Sequence, residues 1–187
     1  DSTEESEIKK IVNTGTIDKY QSQWGFQDMQ YLKSKYSHPV IKTSDLKSIN
    51  RIRLEQANSN KIIIAGMSKT PEAFYDKGEY LAGKSTSIVL GQKQNLLTLL
   101  GFLNSKLIDF FVNKYFNSLK MSGGYLNMSK EILENIPIPV DFNADLSQLV
   151  EKANGSPDEE KLSQIDSLVY KLYGLSEKEI EIVDKSL

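Results

Sequence analysis

The stretch SLKMSGGYLNMSK, residues 118–130, gathers side chains of the kind that bind nucleic acids. Lysine, serine, tyrosine and asparagine form hydrogen bonds with phosphates or base edges, and asparagine can pair with adenine through two bonds. Two adjacent glycines permit a positive φ and let the backbone approach a partner without a Cβ. The candidate contacts are Lys120, Ser122, Gly123, Gly124, Tyr125, Asn127 and Lys130. The local chemistry suits equally well a plain turn after a helix, with Tyr125 half-buried.

A second motif, GEYLAGKS at residues 78–85, has the spacing of a phosphate-binding loop. Such a loop follows a buried strand and opens a helix, but here a polar stretch precedes Gly78 and a β-branched run follows Ser85. The context therefore favours part of a sheet over a nucleotide site. With one histidine, His38, and no cysteine, the sequence excludes a disulfide framework and offers little basis for a zinc site or a catalytic triad.

The net charge of -2 conceals a segregation of charge along the chain. Residues 42–130 carry 13 basic and 6 acidic side chains, whereas residues 131–187 carry 5 basic and 13 acidic ones. A basic middle beside an acidic end favours a polyanionic partner on one face, although lysine is also common on ordinary surfaces. No apolar run reaches the ~18 residues of a membrane span, so we expect no membrane partner. The absence of cysteine fits a reducing compartment, so we expect a cytoplasmic protein. The start at Asp1 without methionine suggests a piece of a longer protein.

In the first half of the chain the sequence predicts few regular elements apart from strands rich in β-branched residues. The residues before the first clear strand are interpreted as a charged helix start at 1–12 and as irregular chain with some helix around 26–35. Two buried strands are predicted at 61–66 and 87–91, because both runs are rich in isoleucine and valine. Residues 79–82 predict a third strand, in a hairpin with one of these, after a tight connection at Asp76-Lys77-Gly78.

Apolar residues at three- and four-residue steps predict one long amphipathic helix over 94–116. Gly101 lies inside it, which we interpret as a close helix–strand contact. Ser156 is predicted to cap a helix that ends at Gly174, and Ser176 opens a last helix with a capping box. The predicted fold class is α+β: a mixed-sheet domain at 1–140 with the long helix, followed by a helical hairpin in a subdomain at 141–187.

Three segments, quoted together, carry a resemblance to a known family. They are LLGFLNSKLIDFFVNKYFNSLKMSGGYLNMSKEILENIPIP (99–139), GTIDKY (15–20) and KIIIAGMSKTPEAFYDKGEYLAGKSTSIV (61–89). This order resembles the TaqI-like C-terminal specificity domain of bacterial N6-adenine DNA methyltransferases and fused type II restriction–modification enzymes. Residues 165–184, IDSLVYKLYGLSEKEIEIVD, resemble the helical tail that often closes these enzymes.

The resemblance implies a target-recognition domain that selects a sequence in double-stranded DNA. A separate methyltransferase domain of the same polypeptide would then flip out adenine and transfer a methyl group from S-adenosylmethionine. This chain has no Asn-Pro-Pro-Tyr motif, no glycine-rich methyl-donor loop and no evident nuclease signature, so we expect no cofactor and no catalytic residue within it. From residue type, we predict further DNA contacts by Lys69, Thr70, Lys84, Ser85 and Thr86.

Two other functions are compatible with parts of the sequence. The acidic helical tail could dock a partner chain, which would make this a protein-interaction module without a DNA role. The 78–85 loop could instead serve an enzyme that binds a nucleotide.

Overall fold

The computed structural model describes residues 7–139 and 141–186. Within those ranges the chain forms an α+β fold, which confirms the predicted class. The strands are β1 Ile8–Val12, β2 Ile17–Asp18, β3 Gln21–Ser22, β4 Met29–Tyr31, β5 Ser34–Tyr36, β6 Val40–Lys42, β7 Lys61–Ala65, β8 Met67–Ser68, β9 Ala73–Asp76, β10 Tyr80–Ala82, β11 Thr86–Leu90 and β12 Leu126–Asn127. The helices are α1 Thr43–Ile49, α2 Arg51–Asn58, α3 Lys93–Leu103, α4 Lys106–Tyr115, α5 Lys130–Glu134, α6 Ala144–Ala153, α7 Glu159–Leu172 and α8 Glu177–Lys185.

Strand β7 lies at the centre of the fold, and all five of its residues are buried. Because successive side chains of a strand point to opposite faces, Ile62 and Ile64 join the core formed with the helices, while Ile63 and Ala65 join a second core with Val12 and neighbouring residues. A run that is apolar at every position therefore marks a strand covered on both faces. The strands predicted at 61–66 and 87–91 are confirmed as β7 and β11, which pair antiparallel.

The predicted third strand exists, but its partner was predicted wrongly. Strand β10 pairs in parallel with β1, with Lys10 opposite Tyr80, and forms no hairpin with β7 or β11. Both edges of β7 are already taken, by β11 on one side and by β9 on the other. Strand β7 therefore has no free edge for β10, which lies instead in a sheet with β1 and β6.

The helix start interpreted at residues 1–12 is also wrong where the structure describes it, since β1 is a strand between β10 and β6. Residues 1–6 lie outside the described residues. The alternation of apolar and polar residues that identifies a strand is absent, because a lysine, Lys9, occupies a buried position. Its ammonium donates a hydrogen bond to the Gly78 carbonyl at 2.6 Å. The helix predicted around 26–35 is likewise replaced, by the antiparallel pair β4–β5. Helices α1 and α2, over 43–58, had no sequence prediction.

The long helix predicted over 94–116 is divided into α3 and α4, which meet at an angle of 58°. The break exposes backbone groups that other elements satisfy. The Ser105 hydroxyl accepts from the Ile108 amide, the Asp166 carboxylate accepts from the Lys106 amide, and Lys19 donates to the Asn104 carbonyl. Asn104 also donates its side-chain amide to the Ala73 carbonyl at 2.8 Å, which fixes the break against β9.

Gly101 lies in a close contact between α3 and α6, so the predicted helix–strand contact is wrong. A Cβ at Gly101 would lie 2.8 Å from Val150 and 2.9 Å from Leu146, both on α6. The contact is therefore between two helices, and glycine lets them approach. Helices α3, α4, α6 and α7 share one apolar core. The domain boundary at 140/141 stays a prediction, and Val140 lies outside the described residues.

The C-terminal helical hairpin is present as α7 and α8. Its first cap is Asp158 rather than the predicted Ser156, because the Asp158 carboxylate accepts from the Lys161 amide at 2.9 Å. Gly174 follows α7 with φ of 68°, as its predicted role at the helix end requires. The capping box at Ser176 is confirmed, with Glu179 accepting from the Ser176 amide at 2.8 Å.

A buried ion pair fixes the turn that leads from β9 into β10. The Lys61 ammonium lies 2.5 Å from the Asp76 carboxylate, and the two side chains are 1% and 2% exposed. Asp76 also accepts from the backbone amides of Gly78, Glu79 and Tyr80, which confirms the predicted tight connection. Burial lowers the pKa of Lys61, while the neighbouring Asp76 opposes that shift.

We expect Asp76→Asn to lower the free energy of unfolding by about 3–5 kcal/mol, because it leaves the Lys61 ammonium buried without a counter-charge. The double variant Lys61→Met/Asp76→Asn should lose less than the single variant, since no isolated charge remains. Urea unfolding followed by circular dichroism measures both. A loss below about 1 kcal/mol in the single variant would contradict this account of the pair.

Candidate nucleic-acid interface

The Gly123-Gly124 pair forms an exposed turn between α4 and β12. The Gly124 amide donates to the Met121 carbonyl at 3.0 Å, and the Met121 amide donates to the Tyr125 carbonyl at 2.8 Å. Gly123 has φ of 80° and ψ of 5°, the conformation of the third residue in a type II turn, where glycine is strongly favoured. Tyr125 follows with 45% of its surface exposed, so the turn presents this ring instead of burying it.

Strands β8 and β12 bring two of the predicted segments together. Their antiparallel pairing sets Leu126 opposite Ser68 and Asn127 opposite Met67. Leu126 is buried and Asn127 is exposed, as alternation along a strand requires. The Lys69 ammonium then lies 5.9 Å from the centre of the Tyr125 ring, within the range of a cation–π contact.

Gly66 joins these strands to the third predicted segment, Lys84–Thr86. Its amide donates to the Ser85 carbonyl at 3.0 Å, and its own carbonyl accepts from the Met128 amide at 3.0 Å. A Cβ at this position would lie 2.3 Å from the Ser85 carbonyl oxygen, a distance that no side chain allows. The structure therefore places all the predicted contact segments around one glycine. We call residues 67–70, 83–86 and 120–130 the candidate surface.

The candidate surface carries lysines whose charge no carboxylate neutralises. Among residues 7–139 and 141–186, no ion pair involves Lys69, Lys84 or Lys120, whereas Lys130 lies 3.5 Å from Glu134. Lys120 donates a hydrogen bond to the neutral side-chain amide of Asn113, so its positive charge remains. The acidic C-terminal third therefore leaves three of the four predicted lysines free to meet an anion.

Several predicted contact residues also hold the loops in place. The Thr86 hydroxyl donates to the Gly83 carbonyl at 2.7 Å, and the Ser85 carbonyl accepts from Thr14. The Thr70 hydroxyl faces Asp109. Ser122 and Gly123 are exposed, and Gly124 is half-buried. DNA contact by these side chains stays a prediction.

A partly buried charge cluster lies beside Thr70. The Lys19 ammonium lies 2.5 Å from an oxygen of Asp109. Burial raises the pKa of Asp109, and both Lys19 and Thr70 act against that rise. Glu72 lies two residues after Thr70, and burial and the negative charge of Asp18 raise its pKa to about 6.

The described part of the chain holds no group of three or more residues that could ligate a metal ion. It also holds no single helix that is long and apolar enough to cross a membrane; only α3 and α4 taken together, across their bend, have the length and composition. His38 contacts Ser37 and stacks edge-on against Trp24. The 78–85 motif contains strand β10 and is followed by strand β11. No helix begins at its end, so it lacks the structure of a phosphate-binding loop.

The β4–β5 hairpin lies beside the candidate surface and was not predicted from the sequence. The β4–β5 hairpin and residues 83–85 line a common cavity, so the hairpin lies beside Lys84. Its two-residue turn is Leu32-Lys33, which lacks the Asn-Gly or Asp-Gly signal that identifies a hairpin from sequence.

We expect Gly66→Ala to lower the free energy of unfolding by about 3 kcal/mol, because the new methyl group forces β7 away from the Ser85 carbonyl. The matched control is Gly15→Ala, where the nearest atom to the new Cβ is 3.8 Å away. The control should stay within about 0.5 kcal/mol of the unaltered chain in urea unfolding. Equal effects of the two changes would contradict the role given to Gly66.

Glu72→Gln should stabilise the chain in a manner that depends on pH. With its pKa raised to about 6, folded Glu72 binds a proton more readily than it does when unfolded, so its contribution to stability falls as pH rises through pH 4.5 to 6. Glutamine has no such loss. The advantage of the variant should therefore grow over this window and reach about 1 kcal/mol at pH 7, after allowance for solvent screening. Urea unfolding at pH 4.5 and pH 7 tests this, and a difference that stays constant with pH would contradict it.

Comparison with known proteins places the chain in a family. The family model described as "TaqI-like C-terminal specificity domain" matches residues 9–138. A relative named "Type II methyltransferase M.BstVI", from Geobacillus stearothermophilus, is 28% identical over 145 residues. That match covers 75% of this chain and 25% of the relative, so the chain corresponds to about a quarter of that protein. The family match spans most of the strands and helices that build the candidate surface, and the chain belongs to the family of TaqI-like C-terminal specificity domains.

Proposed function

We propose that this chain selects the DNA sequence for a restriction–modification enzyme. A separate domain of the same polypeptide would then methylate adenine at N6, with S-adenosylmethionine as the methyl donor. Membership in the specificity-domain family supports the first part, and the relative named a type II methyltransferase supports methyl transfer by a separate domain. Adenine N6 as the target and S-adenosylmethionine as the donor are what the family resemblance implies. The observation that carries the proposal is the open candidate surface, where Lys69, Lys84 and Lys120 form no ion pair with any described residue.

Double-stranded DNA is the ligand that this surface suits best. The phosphate backbone binds cations that no carboxylate neutralises, and each contact releases counterions. Glycines at the turn let the backbone come close to the duplex, since a Cβ at Gly124 would meet no atom within 4 Å. Exposed Asn127 is the residue on the surface best suited to read a base edge, and Tyr125 offers both a ring and a hydroxyl.

The roles of these residues divide into positioning and selection. Lysine contacts with phosphates hold the duplex in register but carry no sequence information. Selection then depends on side chains that reach base edges, for which we propose Asn127. The chemistry of methyl transfer requires groups outside this chain, so a change at Asn127 should alter where the enzyme acts and leave the methyl-transfer step itself intact.

The triple variant Lys69→Ala/Lys84→Ala/Lys120→Ala should bind DNA more weakly and with a smaller salt dependence. Each lost phosphate contact lowers the slope of log K against log salt by about 0.9. The probe is a fluorescein-labelled pool of random 30-base-pair duplexes, titrated with the 187-residue chain at several salt concentrations. Lys171→Ala, in the last turn of α7, removes a similar exposed lysine outside the candidate surface and should leave the slope unchanged.

Two results would contradict the proposed function. One is an unaltered chain that shows no salt-dependent affinity for the duplex pool. The other is an equal loss of binding free energy per removed lysine in the Lys171→Ala control and in the triple variant, because binding would then follow net charge and not this surface.

A further inference from the structure

The β4–β5 hairpin projects two non-glycine residues in the left-handed backbone region at its tip. Tyr31 pairs with Ser34, so Leu32 and Lys33 form the two-residue turn, with φ of 46° and 67°. Both central residues of a type I′ turn need positive φ, a position that Asn-Gly fills at least cost. A leucine here is strained by roughly 1 kcal/mol or more, and 79% of its surface is exposed. Folding alone gives no reason for Leu-Lys at this tip.

The base of the hairpin is held firmly, in contrast to the tip. Met29 is buried, and the Gln30 carbonyl accepts a hydrogen bond from the Asn13 side chain at 3.1 Å. On the far side, the Trp24 indole donates to the Pro39 carbonyl at 2.9 Å. A rigid base with a strained, solvent-exposed tip is the arrangement expected of an element that presents side chains to a partner.

The charge of this region matches that of the candidate surface. Residues 29–42 contain three lysines and no acidic residue. Lys33 and Lys35 form no ion pair with any other described residue, as is also true of Lys84. Tyr31, with 56% of its surface exposed, supplies an aromatic ring at the same tip.

The hairpin is continuous with the candidate surface. A cavity of about 640 Å³ lies between Met29 and Tyr31 on one side and Lys84 and Ser85 on the other. Ser85 is in turn hydrogen-bonded to Gly66, which is bonded to Met128. A duplex lying on the candidate surface would therefore reach the hairpin through Lys84.

The dimensions of the hairpin fit the major groove. Three residues at about 3.4 Å each project about 10 Å, close to the groove depth of about 8.5 Å. Two strands about 4.8 Å apart, with their side chains, enter a groove about 12 Å wide, whereas the minor groove is about 6 Å wide.

Resting on the proposed function, we infer that the β4–β5 hairpin is a second reading element, which enters the major groove of the bound DNA. Tyr31 and Leu32 at the tip contact base edges, with the leucine suited to a thymine methyl group, and Lys33 and Lys35 contact the flanking phosphates. The strain at Leu32 is then explained, because the tip places an apolar side chain at the floor of the groove.

The test replaces the tip with the turn sequence that a hairpin prefers. The variant Leu32→Asn/Lys33→Gly should raise or preserve the melting temperature, since Asn-Gly relieves the positive φ. The same variant should bind the random 30-base-pair duplex pool roughly ten-fold more weakly, because it loses one phosphate contact and the apolar tip. Selection and sequencing of the duplexes bound by each chain should show preferred base pairs that the unaltered chain selects and the variant does not. On one duplex selected by the unaltered chain, the guanine N7 atoms that this chain protects from methylation by dimethyl sulfate should become reactive when the variant is bound instead.

The outcomes separate this inference from the proposed function. If Lys69→Ala weakens binding but the hairpin variant binds and selects as the unaltered chain does, the hairpin has no DNA role and the proposed function stands. If the hairpin variant loses affinity but keeps every preferred base pair and every protected guanine, it contacts phosphates only and the reading role is wrong. If the unaltered chain binds no duplex, both fail together.

Discussion

The close approach at Gly66 is the constraint on which the surface depends. Strand β7 leaves the apolar core at this residue, and three otherwise separate segments meet there through two backbone hydrogen bonds, to Ser85 and from Met128. Hydrogen bonds of this kind are directional and short, so they set the relative positions of the segments to within a fraction of an ångström. They form only because no side chain stands between β7 and the Ser85 carbonyl. The apolar core sets the position of β7, and Gly66 at the end of this strand lets the segments that contain Ser85 and Met128 come together.

Charge is distributed in this protein by the degree of burial. The interior pair Lys61–Asp76 is satisfied by one another and by backbone groups, as charges removed from water must be. Three of the four lysines of the candidate surface, Lys69, Lys84 and Lys120, have no carboxylate partner among the described residues, and water screens them until an anion arrives. Acidic residues of the C-terminal helices form their ion pairs elsewhere, for example Asp184 with Lys106. A chain with a net charge of -2 can thus carry a cationic face, because the sum over the sequence says nothing about placement.

Rigid support and an exposed, strained tip occur together in the β4–β5 hairpin. Its base is fixed by Met29 and by Trp24, while the turn holds Leu32 in a conformation that leucine rarely adopts. Backbone strain of this kind persists only where the surrounding structure holds it in place. The candidate surface is built differently: at Gly123 a glycine adopts the positive φ without strain. The two elements would meet DNA in different ways, one with close backbone approach and the other with projecting side chains.

From the sequence alone one could derive the fold class, strands β7 and β11, the Ser176 cap, the Asp76 turn and the segments that carry the candidate contacts. Each of these has a local cause, such as a β-branched run, a capping pair or a glycine pair, and local causes are visible within a few neighbouring residues. The family match over residues 9–138 confirms the resemblance read from the ordered motifs. Only the tertiary structure decided which segments meet. It broke the long helix at Asn104, because side chains distant in sequence satisfy the opened backbone groups. It also paired β10 with β1 and folded residues 29–36 as a hairpin without a turn signal. These outcomes depend on which sheet edges remain free and which charges can be satisfied once the chain is compact, and no window of the sequence contains that information.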